Sequence, residues 1–494
     1  WERHILETVE HPGLPSVIDT FVENGTEYMI LELPEGTSLW DAWDDFDVNN
    51  KQRYTWLKEL AETLLMLQQI GGMIEGIRPD IVVIDEQGQV RLTDLSDLLP
   101  LPLPENPPIR GTLWTAPEML SSPENVEGRA TLSSFGALMF ALQSGRELAD
   151  IDFEGPGQPK PYIPQFPDCH PMVGRLMSKT FRRDPNQRFP TDETAKDDPT
   201  GVGELIRNLE ICARTLDQTR LEIGAWTTTG MVRSGNEDAF SLLHSCESRQ
   251  DDVTETALIL LADGMGGYEA GEVAAAMAMA ELRRILCQHP QFRALTGVSG
   301  FSDDLPQADG NDAAEIDVEQ MKELILAALK EANSKVHNEA KANPSRRGMG
   351  CTAEVVFIDG KNIVVGHVGD SRTYHLSDGN LTQLTRDQTL VNRLVELGQL
   401  TEEEAEKHPR RNELQQALGG QPQVDPGVYS ATLKAGDVIL VCSDGVVNHV
   451  DNKTLRKFRV EEGFAAELAA RRLVNLTNIN GATDNTTIVV IRAT

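Results

Sequence analysis

The sequence predicts an α+β fold in two parts, and three observations support this prediction. The chain has 494 residues, which is long enough for two or three domains with separate cores. Its first 200 residues mix helix-like and strand-like segments, whereas strand-like runs dominate from about residue 222 onward. Two long helical stretches, at 271–288 and 318–340, interrupt those strands. Strands with long helices outside them predict two antiparallel sheets flanked by helices, an αββα sandwich.

The first part contains a clear strand and several helices. The segment TEYMILEL is typical of a strand, and LSSFGALMFALQSG is typical of a buried helix that ends at Gly145. The segment WLKELAETLLMLQQI carries its leucines along one helical face. The polar stretch DETAKDDPTG indicates a linker near 190–205, followed by a connecting helix from about Val202 to Leu216. We therefore divide the chain into a first domain at 1–200, a connector at 201–221 and a second domain at 222–494.

The second part contains a series of strand-like segments. They are ALILLAD, CTAEVVFI, NIVVGHVGD, RTYHL, DVILVCSD and NTTIVVIRA. The two helical stretches are GEVAAAMAMAELRRILCQ and VEQMKELILAALKEANSKVHNEA. The acidic stretch SDDLPQADGNDAAEID between these helices has no periodicity, and we interpret it as a solvated loop.

The composition excludes several classes of protein. The net charge of −32 argues against nucleic acid as a general partner, because an acidic surface repels phosphate backbones. The six cysteines are scattered without a C-x-x-C pair, which argues against a zinc ribbon or a disulfide framework. No apolar run approaches the roughly 18 residues needed to span a membrane. We therefore expect a cytoplasmic protein that binds neither nucleic acid nor a membrane.

Strands of the second part repeatedly end on an aspartate. Asp263, Asp370 and Asp444 each follow an apolar run, and a further strand begins directly after Asp484 and Asn485. If these strands lie side by side, their ends gather carboxylates at one edge. Carboxylates without a His or Cys at metal-ligand spacing favour Mg²⁺ or Mn²⁺ over zinc. Two such ions would neutralise carboxylates that otherwise repel one another.

A candidate phosphate-binding group precedes these strands. Arg233 lies five residues before Asp238, in MVRSGNEDAF, and an arginine offers bidentate donors to phosphate oxygens. Taken singly, each motif has a simpler interpretation, since an Asp at a strand end is ordinarily a turn or cap residue. The stretch GMGGYE lacks the third glycine of a dinucleotide-binding fingerprint, and no G-K-[ST] follows it as in a Walker loop.

In their order along the chain, these segments resemble the metal-dependent protein serine/threonine phosphatases. The segments that carry the resemblance are GMVRSGNEDAF, LADGMGGYEAGEVAA, RRGMGCTAEVV, GHVGDSRTYHLSDGNLTQLTRDQTLV, HPRRNELQQALGG, LVCSDGVV and GATDNTTIVVI. This family is also called PPM or protein phosphatase type 2C, and the similarity is to its bacterial branch, over about 223–494. It implies an αββα sandwich that hydrolyses phosphoserine and phosphothreonine in proteins, by hydroxide attack at a centre of two Mn²⁺ or Mg²⁺ ions with a looser third.

The resemblance also implies roles for individual residues. The implied metal ligands are Glu237, Asp238, Asp263, Gly264, Asp370, Asp444 and Asp484. Among them, Asp263 would bridge the two main ions and Asp370 would belong to the looser third site. Arg233 would bind the phosphate, and residues 384–420 would form a mobile flap beside the cleft. The acid that protonates the leaving group stays unassigned, because Met265 stands where animal members have a proposed general-acid histidine.

The first 200 residues resemble a protein kinase that lacks its catalytic groups. The segments that follow the order of kinase motifs are HPGLPSVIDTFVENGTEYMILELPEGTSLWDAW, GTLWTAPEML, SSFGALMFALQSGREL and FRRDPNQRF. The kinase pattern H-R-D-x-K-P-x-N falls on IEGIRPDI, so Gly76 replaces the catalytic-base aspartate and Ile81 replaces the magnesium-binding asparagine. Asp94 occupies the place of the D-F-G aspartate. We therefore expect an inactive pseudokinase domain with an incomplete N-terminal lobe, which regulates the phosphatase or binds a kinase or another signalling partner.

Two other functions remain open from the sequence. A degenerate phosphatase could bind phosphoproteins without hydrolysing them, although the intact Asp263, Asp444 and Asp484 speak against it. A structural Ca²⁺-binding sandwich is the other alternative, and activity restored by Mn²⁺ but not by Ca²⁺ would exclude it.

Overall fold

The chain divides into two compact units, Trp1–Asp217 and Gln218–Thr494. The structure is a computed structural model that describes residues 2–45, 48–155, 158–159, 171–191, 197–216, 218–249, 252–266, 270–288, 317–457 and 465–494. The acidic stretch at 302–317, which we interpret from the sequence as a solvated loop, lies outside the described residues apart from Asp317.

The first unit combines short strands with helices. Its strands are β1 (Ser16–Glu23), β2 (Thr26–Glu32), β3 (Gly36–Ser38), β4 (Gly72–Ile74), β5 (Val82–Asp85), β6 (Val90–Leu92), β7 (Leu98–Pro100), β8 (Phe153–Gly155) and β9 (Gln158–Pro159). Its helices are α1 (Glu2–Thr8), α2 (Leu39–Trp43), α3 (Asn50–Gln69), α4 (Pro117–Ser121), α5 (Ala130–Ser144), α6 (Pro171–Thr180) and α7 (Val202–Thr215). β1 pairs with β2, β4 with β7 and β8 with β9, and β3, β5 and β6 form a three-stranded sheet.

Helices α3, α5 and α7 lie at the centre of this unit. The leucines of α3 that the sequence places on one face, at 57, 60, 64 and 67, are all buried. α5 is buried along nearly its whole length and ends where Gly145 takes a left-handed conformation with φ 61°. α7, which we interpret from the sequence as a connector, packs against α3 inside the first unit.

A buried ion pair links distant parts of the first unit. The guanidinium of Arg188 is fully buried and donates to both carboxylate oxygens of Glu118, at 2.5 and 2.8 Å. Its remaining N–H groups donate to the carbonyl oxygens of Arg129, Arg182 and Arg183. Because all five donors of the guanidinium find acceptors, the pair fixes α4 to the segment after α6.

The second unit contains the following strands and helices. The strands are β10 (Leu221–Thr228), β11 (Asp238–Arg249), β12 (Asp252–Met265), β13 (Gly350–Cys351), β14 (Ala353–Asp359), β15 (Asn362–Val368), β16 (Arg372–Ser377), β17 (Asn380–Gln383), β18 (Gly427–Thr432), β19 (Val438–Cys442) and β20 (Thr486–Ala493). The helices are α8 (Ala270–Gln288), α9 (Val318–Ala342), α10 (Leu390–Glu396), α11 (Glu402–Glu406), α12 (Asp444–Val447), α13 (Asn452–Lys457) and α14 (Ala466–Ile479).

Two antiparallel sheets of the second unit pack face to face. One has the strand order β10-β20-β19-β16-β17, and the other has the order β11-β12-β14-β15-β18, with β13 beside β12. A buried cluster that includes Ile259, Val356, Ile439 and Val489 joins the two sheets. Helices α8 and α9 cover the outer face of the second sheet, and α14 covers that of the first. The predicted α+β class and the αββα sandwich are confirmed.

Strands β10, β11, β17 and β18 are absent from the strands that the sequence predicts. Their side chains are mostly partly or fully exposed, so they lack the continuous apolar runs that identify β12 or β19. None of the helices in the described part of the chain is long and apolar enough to cross a lipid bilayer.

We expect Arg188→Ala to destabilise the first unit by about 3–5 kcal/mol, because it leaves the Glu118 carboxylate without its buried counter-charge and removes the donors to the carbonyl oxygens of Arg129, Arg182 and Arg183. Urea unfolding followed by tryptophan fluorescence would measure the loss, since five of the six tryptophans lie in the first unit. Arg175→Ala, at an exposed position of α6, is the matched control and should change stability by less than about 0.5 kcal/mol. Equal effects of the two substitutions would contradict the role of the buried pair.

Candidate metal centre

The ladder between β11 and β12 brings two carboxylates together. Asp238 is the first residue of β11 and lies directly opposite Asp263, close to the end of β12. Residues that face each other in an antiparallel pair have Cβ atoms about 5 Å apart on the same face of the sheet. The register of this pair therefore places two carboxyl groups side by side.

The first sheet contributes two more carboxylates at the same end of the sandwich. Asp444 begins α12 directly after β19, and Asp484 precedes β20 by one residue. Since β19 and β20 are antiparallel neighbours, the end of one strand lies beside the start of the other. The negative charge of Asp444 lies close enough to Asp263 to raise the pKa of that carboxyl group.

Burial and mutual repulsion raise the pKa values of these carboxyl groups, although each keeps some contact with solvent. Burial, then the charges of Asp238 and Asp444, raises the pKa of Asp263 well above its usual value. Burial raises the pKa of Asp238 to about 6, and burial together with the Asp444 charge raises that of Asp370 to about 7. The pKa of Asp444 is also raised, mainly by burial and then by Asp484. The cluster therefore carries more negative charge than its surroundings neutralise.

One carboxylate oxygen of Asp238 has hydrogen-bond donors, and the other has none within the described part of the chain. Its Oδ2 accepts hydrogen bonds from the hydroxyls of Ser443, at 2.9 Å, and Thr487, at 2.7 Å. Its Oδ1 is buried and has no hydrogen-bond partner within the described part of the chain. A buried carboxylate oxygen without a donor is costly, and a cation beside it would remove that cost.

The donor set fits hard divalent cations such as Mg²⁺ or Mn²⁺. It consists of carboxylate oxygens, and the free oxygen of Asp238 and the excess negative charge both favour a cation. Across the ranges that the structure describes, no three His, Cys, Asp or Glu side chains converge as closely as the ligands of one ion would. The guanidinium of Arg233, which bonds to Asp484, supplies part of the neutralising charge.

Arg233 lies at the rim of this cluster. Its Nη2 donates to Oδ2 of Asp484 at 2.6 Å, and about half of its side chain is exposed. The hydrogen bond to Asp484 raises the pKa of Arg233, so the group stays charged. An exposed guanidinium beside buried carboxylates could receive an anion from solvent while remaining fixed to the cluster.

Comparisons with known proteins agree with both resemblances. The family described as "Protein phosphatase 2C" matches residues 234–477, and the family described as "Protein kinase domain" matches residues 1–198. The protein phosphatase PhpP of Streptococcus pneumoniae is 30% identical over 271 residues, which cover 55% of this chain and 97% of PhpP. The chain belongs to the protein phosphatase 2C family.

Two further proteins are similar to this phosphatase 2C chain. The serine/threonine protein phosphatase PstP of Mycobacterium tuberculosis is 35% identical over 271 residues, which are 55% of this chain but only 44% of PstP. The solved structure of the S. agalactiae serine/threonine phosphatase is 31% identical, with a TM-score of 0.46, and the match covers 55% of this chain and 99% of that one. Phosphatases of this family are metal-dependent.

Two side chains outside the predicted ligand set hold the phosphatase site together: Asn485, which the sequence places beside Asp484, and Ser443, which the sequence motifs do not single out. The side chain of Asn485 accepts from the backbone N–H of Glu237 at 2.8 Å and donates to the carbonyl oxygens of Thr229 and Gly235. It thereby fixes the loop that carries Arg233. Ser443, which bonds to Asp238, directly precedes Asp444, so a hydroxyl next to a ligand candidate is the one signal that could have identified it.

The glycines after Asp263 allow α8 to approach this site. A Cβ atom on Gly264 would lie 2.4 Å from the carbonyl oxygen of Gly271, and one on Gly271 would lie 2.8 Å from Oε2 of Glu237. Because the contact at Gly264 is with backbone, no side-chain movement could relieve it. The glycine-rich stretch therefore serves close packing of the helix start against the carboxylate-bearing strand.

In the kinase-like unit, the degenerate catalytic loop is part of the packing. A Cβ atom on Gly76 would lie 2.9 Å from the Cβ of Trp114. The adjacent Glu75 is buried and accepts hydrogen bonds from the backbone N–H groups of Arg110 and Gly111 and from the Thr115 hydroxyl. These contacts fix segment 110–115 against the loop and fill the space that a side chain at 76 would need.

We expect Asp263→Asn to stabilise the metal-free phosphatase at pH 8 by roughly 1–3 kcal/mol, because it removes one of several repelling charges. The gain should shrink toward pH 5. A raised carboxyl pKa means that the folded state binds protons which the unfolded state has released, so the wild type loses stability as the pH rises above the usual range of an aspartate carboxyl group. With Mn²⁺ present the wild type should be more stable than Asp263→Asn, because an amide is a weaker ligand than a carboxylate.

Urea unfolding followed by circular dichroism, with EDTA or with Mn²⁺, would measure these differences. Asp378→Asn, in the exposed hairpin turn between β16 and β17, is the matched control and should change stability by less than about 0.5 kcal/mol. Destabilisation by Asp263→Asn in EDTA at pH 8 would show that charge repulsion does not dominate at this site.

Proposed function

We propose that the chain is a metal-dependent protein serine/threonine phosphatase that hydrolyses phosphoserine and phosphothreonine. One observation carries this proposal: Asp238, Asp263 and Asp444 gather at the common end of two sheets, and Arg233 lies at their rim. Membership of the protein phosphatase 2C family supports the same reaction. The natural substrate class is a phosphoprotein.

The chain's own residues supply the ligands for the ions. The residues that would hold Mn²⁺ or Mg²⁺ are Glu237, Asp238, Asp263, Gly264, Asp370, Asp444 and Asp484. When bound, the ions would polarise the phosphate ester and lower the pKa of water. The hydroxyls of Ser443 and Thr487 orient Asp238, and its second oxygen is left free for a cation.

Arg233 would bind the phosphate of the substrate. Its half-exposed guanidinium offers donors in addition to the one that bonds to Asp484. A phosphate dianion would compete with Asp484 for this group, so binding exchanges one ion pair for another.

The cysteines near the site do not provide a nucleophile. Cys351 and Cys442 are fully buried, and burial raises the pKa of both thiols, so that they stay protonated at neutral pH. The proposed reaction is therefore direct hydrolysis, without a covalent phosphoenzyme.

The kinase-like unit is proposed to regulate the phosphatase or to bind a signalling partner. Ile81 is buried, and the carboxylate of Asp94 has the guanidinium of Arg78 3.8 Å away. With Gly76 packed against Trp114 and Ile81 buried, neither position carries the side chain that phosphoryl transfer requires there. A kinase-like unit that does not transfer phosphate could still bind a signalling partner through its surface.

We expect Arg233→Ala to lower kcat/KM for a phosphothreonine peptide by about 100-fold in the presence of Mn²⁺, because a charge-assisted contact to the phosphate is lost. Arg233→Lys should restore part of the loss, and EDTA should abolish turnover. Arg471→Ala removes a guanidinium that lies over the Trp226 ring of the same unit, and it should leave activity unchanged.

Undiminished turnover by the Arg233→Ala variant would contradict the proposed role of Arg233 in binding the phosphate. A folded wild type without turnover in Mn²⁺ or Mg²⁺, but with measurable affinity for phosphopeptides, would favour the non-catalytic binding module instead.

We expect no transfer of labelled phosphate from ATP to a generic substrate by the wild type or by Gly76→Asp. Restoring the aspartate should instead destabilise the kinase-like unit by about 2 kcal/mol or more, because its Cβ would overlap Trp114. Gly174→Asp, at a position where a new Cβ meets no atom within 4 Å, is the control for adding a charge. Phosphate transfer by either protein would overturn the pseudokinase assignment.

A further inference from the structure

Gln388 connects three separate segments of the phosphatase unit. It lies directly before Thr389, the N-cap of α10. Its backbone N–H donates to the carbonyl oxygen of Gly369 at 2.7 Å, and its side-chain Oε1 accepts from the Gly369 N–H at 3.0 Å. Its Nε2 donates to the carbonyl oxygen of Asp425 at 3.0 Å, and its own carbonyl accepts from Gln415 N–H at 2.8 Å. One residue thus engages both backbone groups of Gly369.

The turn that Gln388 holds carries Asp370. Gly369 has φ 111°, and a Cβ atom there would lie 2.6 Å from Cγ2 of Thr352, so this turn requires glycine. On its other side, the Ser371 hydroxyl lies 2.8 Å from the Thr352 hydroxyl. Thr352 in turn bonds to both backbone groups of Asp263, at 2.9 Å each. Gln388 is therefore connected to both Asp370 and Asp263 through short hydrogen bonds.

The other side of Gln388 is the flap segment, residues 384–420. Two parts of this segment that are distant in sequence meet next to Gln388. Thr389 forms a β-bridge with Leu414, and the N–H of Leu390 donates to the carbonyl oxygen of Glu413 at 2.8 Å. Just before Gln388, Asp387 accepts hydrogen bonds from Nε and Nη2 of the Arg372 guanidinium in β16. Any displacement of the flap segment that moves its base also moves Gln388.

We propose that Gln388 is a positioning residue that makes the placement of Asp370 depend on the flap segment. Its side chain fixes the N–H of Gly369, and with it the direction in which the turn presents the next residue. A phosphoprotein that displaces the flap segment would thereby change the geometry around Asp370 without touching it. This inference rests on the proposed function for its catalytic consequence, whereas the mechanical connection can be tested without activity.

The first test is backbone hydrogen exchange of the full chain in EDTA, which requires no turnover. In Gln388→Ala, amides at 369–371 and at 389–414 should exchange about tenfold faster than in the wild type. Gln388→His keeps one acceptor and one donor and should return exchange to within about twofold of the wild type. Gln416→Ala is the matched control, because it removes a hydrogen bond to Asp425 N–H and none to Gly369.

Two outcomes of the exchange experiment would overturn the proposal. One is unchanged exchange at 369–371 in Gln388→Ala. The other is an equal increase at 369–371 in Gln416→Ala, which would mean that any loosening near Asp425 has the same effect.

The second test is the Mn²⁺ concentration that gives half-maximal hydrolysis of an aryl phosphate. This Mn²⁺ concentration should rise about tenfold in Gln388→Ala and return to near the wild-type value in Gln388→His. In Gln416→Ala it should equal the wild-type value. An unchanged Mn²⁺ requirement in Gln388→Ala would overturn the connection to Asp370. An inactive wild type would instead contradict the proposed function, and the exchange result would still decide whether Gln388 connects the two segments.

Discussion

The antiparallel ladder between β11 and β12 sets Asp238 opposite Asp263, and the other groups of the site are arranged around that pair. Two carboxylates cannot be held this close without neutralisation. The surrounding groups supply part of it in different ways: Ser443 and Thr487 donate to one oxygen of Asp238, and Arg233 pairs with Asp484. The stability of the sheets is thus coupled to how well this charge is compensated.

Much of the fold could be predicted because apolar runs such as 258–262 are buried on both faces of a sheet, and such strands are identified by composition alone. β11 could not be predicted in the same way, since it mixes serine, histidine and glutamate with its apolar residues at the edge of its sheet. The carboxylates of Asp263, Asp370, Asp444 and Asp484 are identifiable from strand ends, and Asn485 from its place beside Asp484. Thr487 and Gln388 act through contacts over long distances in the sequence, which local patterns do not contain.

In the kinase-like unit, packing contacts occupy the region around Gly76. Glu75 uses its carboxylate to fix segment 110–115, and Trp114 lies where a side chain at 76 would project. Meanwhile the Arg188–Glu118 pair holds the later helices in place. These contacts stabilise one arrangement of this region, which supports the proposal that the unit binds a partner instead of transferring phosphate.

The raised pKa values of Asp238, Asp263 and Asp370 also bear on how a divalent ion would bind at the proposed metal centre. Ionised carboxylates are needed to bind a cation, so an ion that binds there would displace the protons that these groups hold. Its binding would acidify a weakly buffered solution, and the apparent affinity would fall with every step toward lower pH. At the proposed centre, hydrogen ions would act as competitive antagonists of the divalent metal.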